Sequence, residues 1–298
     1  MDVSIIIVNF NTRDVLKKCL LSIYKFTKGI KFEVIVVDNS SSDSSVEMLK
    51  KDFQKVRVIE NKNNLGFGTG NNQGAKITVG RYLCFLNPDV VLTENSLEKL
   101  FKKLDKNPED GVCGPKILNL KKVIQQSVGF FPNLPQVFWW MTFIDDLPFG
   151  KFLKPYHVDH DSFYQKEQEV DWITGAAMVI NKIIFNKVGG FDENIFLYGE
   201  EVELCYRIKK AGFKVLYFPE TKVIHIGQAS TKGNIAAITG EYKAISYFYR
   251  KYKNIYARLF AYLLLELGAL ARILIFGFFK RNSKLLKAYW AAFCHRRN

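Results

Sequence analysis

Two aspartates stand where an α/β chain does its chemistry. Tyr82 to Leu86 is a short, wholly apolar run that Asn87-Pro88-Asp89 ends abruptly. Proline donates nothing to a ladder and pushes the residue before it towards an extended conformation. The strand therefore stops, and Asp89 is held at its mouth. Ligands of open α/β sheets bind at the carboxyl ends of strands. A carboxylate there suits a divalent cation carrying a phosphate; it equally suits a turn that merely caps the next helix. Asp38 closes a second apolar run, Phe32 to Val37, and opens Asn39-Ser40-Ser41-Ser42-Asp43. An Asx-turn explains it, and so does a hydrogen bond to a nucleobase or ribose hydroxyl. Two carboxylates at two strand ends, with the Gly/Asn-rich stretch Asn64 to Gly74 between them, are harder to explain as two caps.

Glu200, Glu201 and Glu203 crowd the first turn of an amphipathic segment, Glu200 to Lys210. Complementing the helix dipole accounts for one or two of them. His225 lies alone in the apolar run Val223 to Ile226, where a histidine is ordinarily a satisfied core residue. Ser230, Thr231 and Lys232 follow within reach of a diphosphate. The glycines Gly66, Gly68, Gly70 and Gly74 are not a dinucleotide fingerprint, because their spacing is wrong and they follow the third strand rather than the first. They would still let backbone approach a ligand closely.

The elements that must position these groups alternate. Val3 to Val8, Phe32 to Val37 and Val56 to Ile59 read as buried strands, and Val15, Leu16, Cys19, Leu20 and Ile23 fall at helical spacing. This predicts α/β architecture, a doubly wound, mostly parallel sheet with helices on both faces. Ser42 or Asp43 is placed to cap the next helix. Asp171 to Ile180 reads as one strand whose Gly175-Ala176-Ala177 centre leaves room for a ligand. Gln136 to Tyr164, rich in aromatics and punctuated by proline, reads as a covering loop with short helical turns. At 298 residues, 48% hydrophobic, the chain suits one large α/β domain with an appendage. Its five cysteines show no paired or metal-type spacing and read as free thiols of a reducing compartment. The N-terminus enters a strand at once, so no signal peptide is expected.

In order, Ser4-Ile5-Ile6-Ile7-Val8-Asn9-Phe10-Asn11, Val36-Val37-Asp38-Asn39-Ser40-Ser41-Ser42-Asp43, Asn64-Leu65-Gly66-Phe67 and Leu86-Asn87-Pro88-Asp89 resemble glycosyltransferase family 2. The resemblance continues through Trp172-Ile173-Thr174-Gly175-Ala176, Gly189-Gly190-Phe191-Asp192-Glu193 and Phe196-Leu197-Tyr198-Gly199-Glu200-Glu201, and ends near His225-Ile226-Gly227. It covers roughly four-fifths of the chain and is strongest for the rhamnosyltransferase-type branch. It implies a GT-A fold, a nucleotide-diphosphate sugar donor, Mg²⁺ or Mn²⁺, and inversion at the anomeric carbon. By resemblance, Val8, Asn9, Asn11, Asp38, Asn64, Gly66, Phe67, Asn71, Asn87 and Asp89 bind the nucleotide-sugar, and Trp172, Gly175, Ala176 and Glu200 the acceptor. Asp89 and His225 hold the metal, and Glu201 is the catalytic base. The chain departs from the family's pattern twice: Asn87 stands at the first acid of Asp-x-Asp, and Glu201 stands where the second acid of a Glu-Asp pair is expected. A nucleotidyltransferase, or a catalytically silent nucleotide-sugar scaffold, is the alternative.

Net charge is +14 with a pI near 9.4, which favours an anionic partner. Beyond residue 240, twelve basic residues face only Glu241 and Glu266, so ten of those charges lie in the tail. Within it Tyr256 to Phe279 is mostly apolar, and Arg258, Glu266, Arg272 and Lys280 form a polar stripe about 120° wide. No uninterrupted apolar run reaches the roughly 20 residues of a simple transmembrane span. The reading is an interfacial helix on an anionic membrane, peripheral at the cytoplasmic face. Packing of its apolar face on protein, in a homodimer for instance, is the alternative. The expected organisation is a GT-A catalytic domain over residues 1–232, split into a nucleotide-sugar half (1–118) and an acceptor half (119–232), with a helical tail over 233–298. The acceptor is expected to be a glycan or lipid-linked sugar. Nucleic acid is not expected, because the charge sits beside a long apolar stripe and no nucleic-acid module appears.

Overall fold

The computed structural model describes residues 1–227 and 234–295. Ser230, Thr231 and Lys232, read above as near a diphosphate, lie outside the described residues, as do Arg296 and Arg297. The chain falls into two compact units: Met1–Val128, Asp159–Phe196 and Glu201–Ser230 form one, and Gly129–Val158, Leu197–Glu200 and Thr231–Asn298 the other.

The first unit alternates as expected: β1 (Val3–Asn9), α1 (Arg13–Phe26), β2 (Phe32–Asp38), α2 (Ser45–Asp52), β3 (Arg57–Glu60), α3 (Phe67–Lys76), β4 (Tyr82–Leu86), β5 (Val90–Leu92), α4 (Ser96–Lys106) and β6 (Asp110–Leu118). After β7 (Val128–Gly129) and α5 (Leu134–Thr142), the strands resume with β8 (Gln168–Val170), β9 (Trp172–Ile173) and β10 (Ala177–Asn181), then α6 (Lys182–Lys187), α7 (Glu200–Lys210) and β11 (Lys214–His225). Among the described residues one sheet has the order β3-β2-β1-β4-β10-β6-β11-β5, with β8 also on β11. Pairing is parallel from β3 to β4 and between β6 and β11. It is antiparallel where β10 inserts between β4 and β6, and where β5 and β8 join β11.

Side chains alternate along a strand, so β1 serves two layers. Ile5 and Ile7 join Leu16, Leu20 and Ile23 of α1 and Leu97 and Leu100 of α4 in one apolar cluster. Ile6 and Val8 face α3 on the other side. A Cβ on Gly74 would lie 2.5 Å from Ile6 Cγ2, and one on Gly70 would lie 2.9 Å from Val8 Cγ2. Gly70 and Gly74 therefore let a helix lie close on a sheet, which corrects the reading of these glycines as room for a ligand.

One further expectation changes. Asp171 to Ile180 is two strands rather than one: Thr174 N donates to Ser127 O (2.8 Å), and Ala176 O accepts from Asn87 N (2.9 Å), so the backbone between β9 and β10 is used sideways. Gln136 to Tyr164 is the expected loop with short helical turns: the end of α5, which packs on a C-terminal helix, and 3-10 turns at Gly150–Phe152 and Phe163–Gln165.

The second unit is helical: α5, α8 (Asn234–Tyr252), α9 (Ile255–Leu274) with a π turn at Ile275–Phe279, and α10 (Ser283–His295). Ile255–Gly277 is 23 residues long and, by length and composition, apolar enough to cross a membrane. It is not an uninterrupted apolar run, because Arg258, Glu266 and Arg272 lie within it. Tyr256, Leu259, Phe260, Leu263, Leu267, Leu270 and Leu274 are all exposed on α9. At about 100° per residue they share a sector about 100° wide. Ala261, Leu264, Leu265, Gly268, Ala269 and Arg272 are buried on its other side.

Arg272 is 4% exposed. Its Nη1 donates to Met141 O (3.1 Å) and Gly268 O (3.3 Å), and its Nη2 donates to Trp140 O. Its guanidinium carbon lies 4.2 Å from the Phe143 ring centroid, with Trp140 and Tyr289 nearby. Carbonyls and aromatic faces thus replace water around the charge. The polar stripe exists, but Arg272, one of its two arginines, is packed inward and the leucines face outward.

Candidate active site

Asn9 and Asp38 end β1 and β2 side by side in the parallel register. Asp38 is 2% exposed. Its Oδ1 accepts from Asn9 Nδ2 (2.7 Å) and its Oδ2 from Ser41 N (2.8 Å). Asn9 Oδ1 accepts from Thr12 Oγ1, so the amide is held from both sides. Asn11, at φ 54°, turns its Oδ1 to Ser42 N (2.7 Å) and its own N–H to Ser41 Oγ (2.9 Å). Asp38 does close its own turn, but through Ser41 N, three residues on, rather than through the residue two on that an Asx-turn uses. Val8 is buried against Gly70.

Asp43 does not cap α2 from the N-cap position, which falls to Ser44. It accepts instead from Ser45 N and Oγ and from Arg13 N. Burial opposes its ionisation, but those donors outweigh burial and hold the carboxyl below its ordinary range.

An amide network continues the wall. Asn39 Nδ2 donates to Asn64 Oδ1 and Gly66 O (both 3.1 Å), and Asn61 Nδ2 donates to Asn39 Oδ1 (2.9 Å) and Gln73 Oε1 (2.7 Å). Gly66 (φ +84°) has no room for a side chain, because a Cβ would meet Phe196 O at 2.4 Å. Asn71 is buried, and its Nδ2 donates to Phe67 O (3.1 Å).

At the end of β4, Asp89 is 4% exposed, and its Oδ1 lies 3.2 Å from His225 Nε2 at the end of β11. Asn87 Nδ2 lies 3.5 Å from the same nitrogen. Two cis ligands bound at about 2.1 Å to one octahedral cation sit about 3 Å apart, so the Asp89–His225 spacing fits a shared cation. Among the described residues no cluster of three or more His, Cys, Asp or Glu surrounds one point. A cation here would take its remaining oxygens from a ligand or water. Cys19 Sγ rests 3.8 Å from Asn87 O, and burial, with Asp89 adding to it, raises that thiol far above its usual range.

Gly175 joins these strand ends to the acid-rich helix. A Cβ there would sit 3.1 Å from the Phe67 ring and 3.8 Å from Glu201 Cβ. Its neighbour Ala176 holds Asn87 N. Phe67 and half-buried Glu201 thus both flank Gly175, whose neighbour Ala176 meets Asn87, all in the first unit. Trp172 is buried on β9. Glu200, also buried, falls in the second unit. Glu203 is 1% exposed and forms a bidentate pair with Arg207, whose Nε lies 2.9 and 3.0 Å from its two oxygens. That is a structural ion pair, so helix-dipole complementation does not account for Glu203.

Sequence reasoning missed Thr12, Ser41, Asn39, Asn61 and Gln125. Ser41 and Asn39 lay inside a motif already singled out. Nothing in sequence joins Gln125 to His225, one hundred positions away.

Residues 4–144 match the family described as Glycosyl transferase family 2. N-acetylglucosaminyl-diphospho-decaprenol L-rhamnosyltransferase of Mycobacterium tuberculosis is 27% identical over 209 residues, covering 66% of this chain and 67% of that protein. Rhamnosyltransferase WbbL of Escherichia coli K12 is 26% identical over 234 residues, covering 75% of this chain and 83% of its own length. The mannosyltransferase PcManGT of Pyrobaculum calidifontis, solved with GDP-Man and Mn²⁺, superposes with a TM-score of 0.58 at 14% identity, over 97% of this chain and 85% of that one. At that identity the likeness shows the fold, which is of the expected GT-A type.

Proposed function

We propose that this chain, whose residues 4–144 belong to glycosyl transferase family 2, moves one sugar per encounter from a nucleotide-diphosphate donor to a hydroxyl of a glycan or lipid-linked acceptor. The observation that carries the reading is the convergence of Asp89 Oδ1 and His225 Nε2 at 3.2 Å, at the ends of two strands of one sheet. Asp38, held by Asn9 and Ser41, orients the base or ribose. Glu201 takes the proton of the acceptor hydroxyl as that oxygen attacks the anomeric carbon from the face opposite the diphosphate. The bond to the diphosphate oxygen breaks, its electron pair leaves with the nucleoside diphosphate, and configuration inverts. Asp89 and His225, with Asn87 as a neutral third group, would hold Mg²⁺ or Mn²⁺, which would supply charge neutralisation for the departing diphosphate. Rhamnose is the proposed sugar, supported by the names of the two relatives.

The outward leucine face of α9 and the basic tail support a peripheral seat on an anionic membrane, at its cytoplasmic face. A docked enzyme would search a surface for a lipid-linked acceptor. The nucleotidyltransferase and silent-scaffold alternatives are not favoured, since both relatives are named as sugar transferases.

The test is a panel of nucleotide-sugars with Mn²⁺, read by thermal stabilisation and by sugar transfer to lipid-linked acceptors. Asp89→Asn should abolish metal-dependent turnover with little change in melting temperature. Parent-like metal-dependent turnover in that variant overturns the assignment. Stabilisation by donors without transfer to any acceptor returns the scaffold.

A further inference from the structure

We infer that Gln125 is a positioning residue for His225, a role that rests on the metal reading of Asp89 and His225 above. The strand β6 ends at Leu118 and turns back on itself. Asn119 Oδ1 accepts from Lys121 N (2.8 Å) and Val123 N (3.0 Å), and Lys122 takes the left-handed region at φ 61°. Ile124 bridges to Leu118, and Gln125 N donates to Ile117 O (2.9 Å). Ile117 and Leu118 pair with Val223 and Ile224 of β11. The hairpin therefore sets Gln125 beside the last residue of β11, which is His225.

The Gln125 amide grips that histidine twice. Nε2 donates to His225 O at 3.2 Å, and Oε1 lies 2.9 Å from His225 Nδ1. The first bond fixes which way the amide faces, because only its NH₂ can serve a carbonyl. The oxygen must then face the ring, and an oxygen can only accept. Nδ1 therefore carries the proton. In the neutral ring this leaves Nε2 with its lone pair, the nitrogen aimed at Asp89 Oδ1. A lone pair facing a carboxylate at 3.2 Å repels it unless a cation or proton lies between them. The two-point grip thus selects the tautomer that a metal requires and prevents ring rotation that would hide Nε2. Leu120 and Val123 on the same hairpin are exposed, so the turn's residue types are not dictated by a core.

Three variants test this, each with melting temperature as the fold control. Gln125→Leu removes both contacts at similar volume, and Gln125→Ala replaces it should the leucine not fold. Gln125→Glu keeps an acceptor for Nδ1–H. Mn²⁺ binding is measured by electron paramagnetic resonance, with the metal alone and with uridine or thymidine diphosphate. The ring tautomer is read from ¹⁵N shifts in histidine-labelled protein, with His225→Ala identifying the resonances. Gln125→Leu should weaken Mn²⁺ binding by about 10- to 100-fold and release the Nδ1–H tautomer, whereas Gln125→Glu should retain both. Parent-like affinity and tautomer in the leucine variant overturn the inference. If the parent binds no Mn²⁺ in any condition, the metal reading falls by itself. The tautomer comparison then still decides whether Gln125 sets the ring.

Discussion

Replacing Leu259, Leu263 and Leu267 together by Gln should release the protein from anionic vesicles while sparing its fold. The three are 57%, 49% and 54% exposed on one side of α9, so about half of each side chain remains available to an acyl boundary. Fully burying a leucine is worth about 1.5–3 kcal/mol, so each offers roughly 1 kcal/mol and the three together about 3. At 1.4 kcal/mol per decade the vesicle partition coefficient should fall by about 100-fold, and the cost of inserting three amides acts in the same direction. Gln is close to Leu in helix propensity, and Leu264, Leu265 and Ala269 keep the packed side, so melting should shift little. Flotation on phosphatidylglycerol vesicles across a salt series separates the components. Lys280, Arg281, Lys284 and Lys287 supply a salt-sensitive attraction of about 1 kcal/mol each when near the surface. The leucines supply the residue that survives high salt. Unchanged flotation of the triple variant at high salt would refute the orientation argued for α9. A dimer in the parent that the variant dissolves would make the face a subunit surface.

Glu201→Gln should lower turnover by at least about 10²-fold with little change in donor affinity, measured by steady-state kinetics against saturating acceptor; a parent-like rate moves the base elsewhere. Glu203→Gln is no control for it, because weakening a buried pair with Arg207 should destabilise the fold itself. Asp43 is held below its ordinary range, so its contribution is fully present above the unfolded-state value of about 4 and is lost as pH falls through the lower folded-state value. The unfolding free energy of Asp43→Asn, followed by denaturant titration, should trail the parent by a constant amount above about pH 5 and converge with it in acid; a gap that persists at pH 2 would assign the effect to packing.

The strand ends were legible because their signals are local. The Asn87-Pro88 pair directly after Leu86 marks the end of β4, and an aspartate followed by serines closes its own turn with Ser41 N. Asp38 and Asp89 could therefore be placed before any contact was known. Gly70 and Gly74 were misread for the opposite reason. A glycine's value lies in what stands opposite, and Val8 and Ile6 come from a strand some sixty residues earlier. The same holds for the break at Thr174–Ala176, where Ser127 and Asn87, both distant in sequence, take the backbone groups that a continuous strand would have spent on its neighbours.

The tail shows how one pattern supports opposite conclusions. A helix with a polar stripe and a broad apolar face normally turns the apolar face to protein, since burying an arginine away from water is costly. That ordering reverses only if the packed side supplies the arginine with its hydrogen bonds. Here α5 does so: Met141 O and Trp140 O accept from Arg272, and Phe143 stacks beneath it. Gly268 completes the arrangement, because a Cβ there would lie 2.4 Å from Met141 Sδ and hold α5 away. With the charge satisfied on one side, Leu259, Leu263, Leu267, Leu270 and Leu274 are left exposed on the other among the described residues, which is the face the vesicle experiment probes. None of those partners lies within one hundred residues of Arg272 except Gly268, which is why the stripe could be read from sequence and its direction could not.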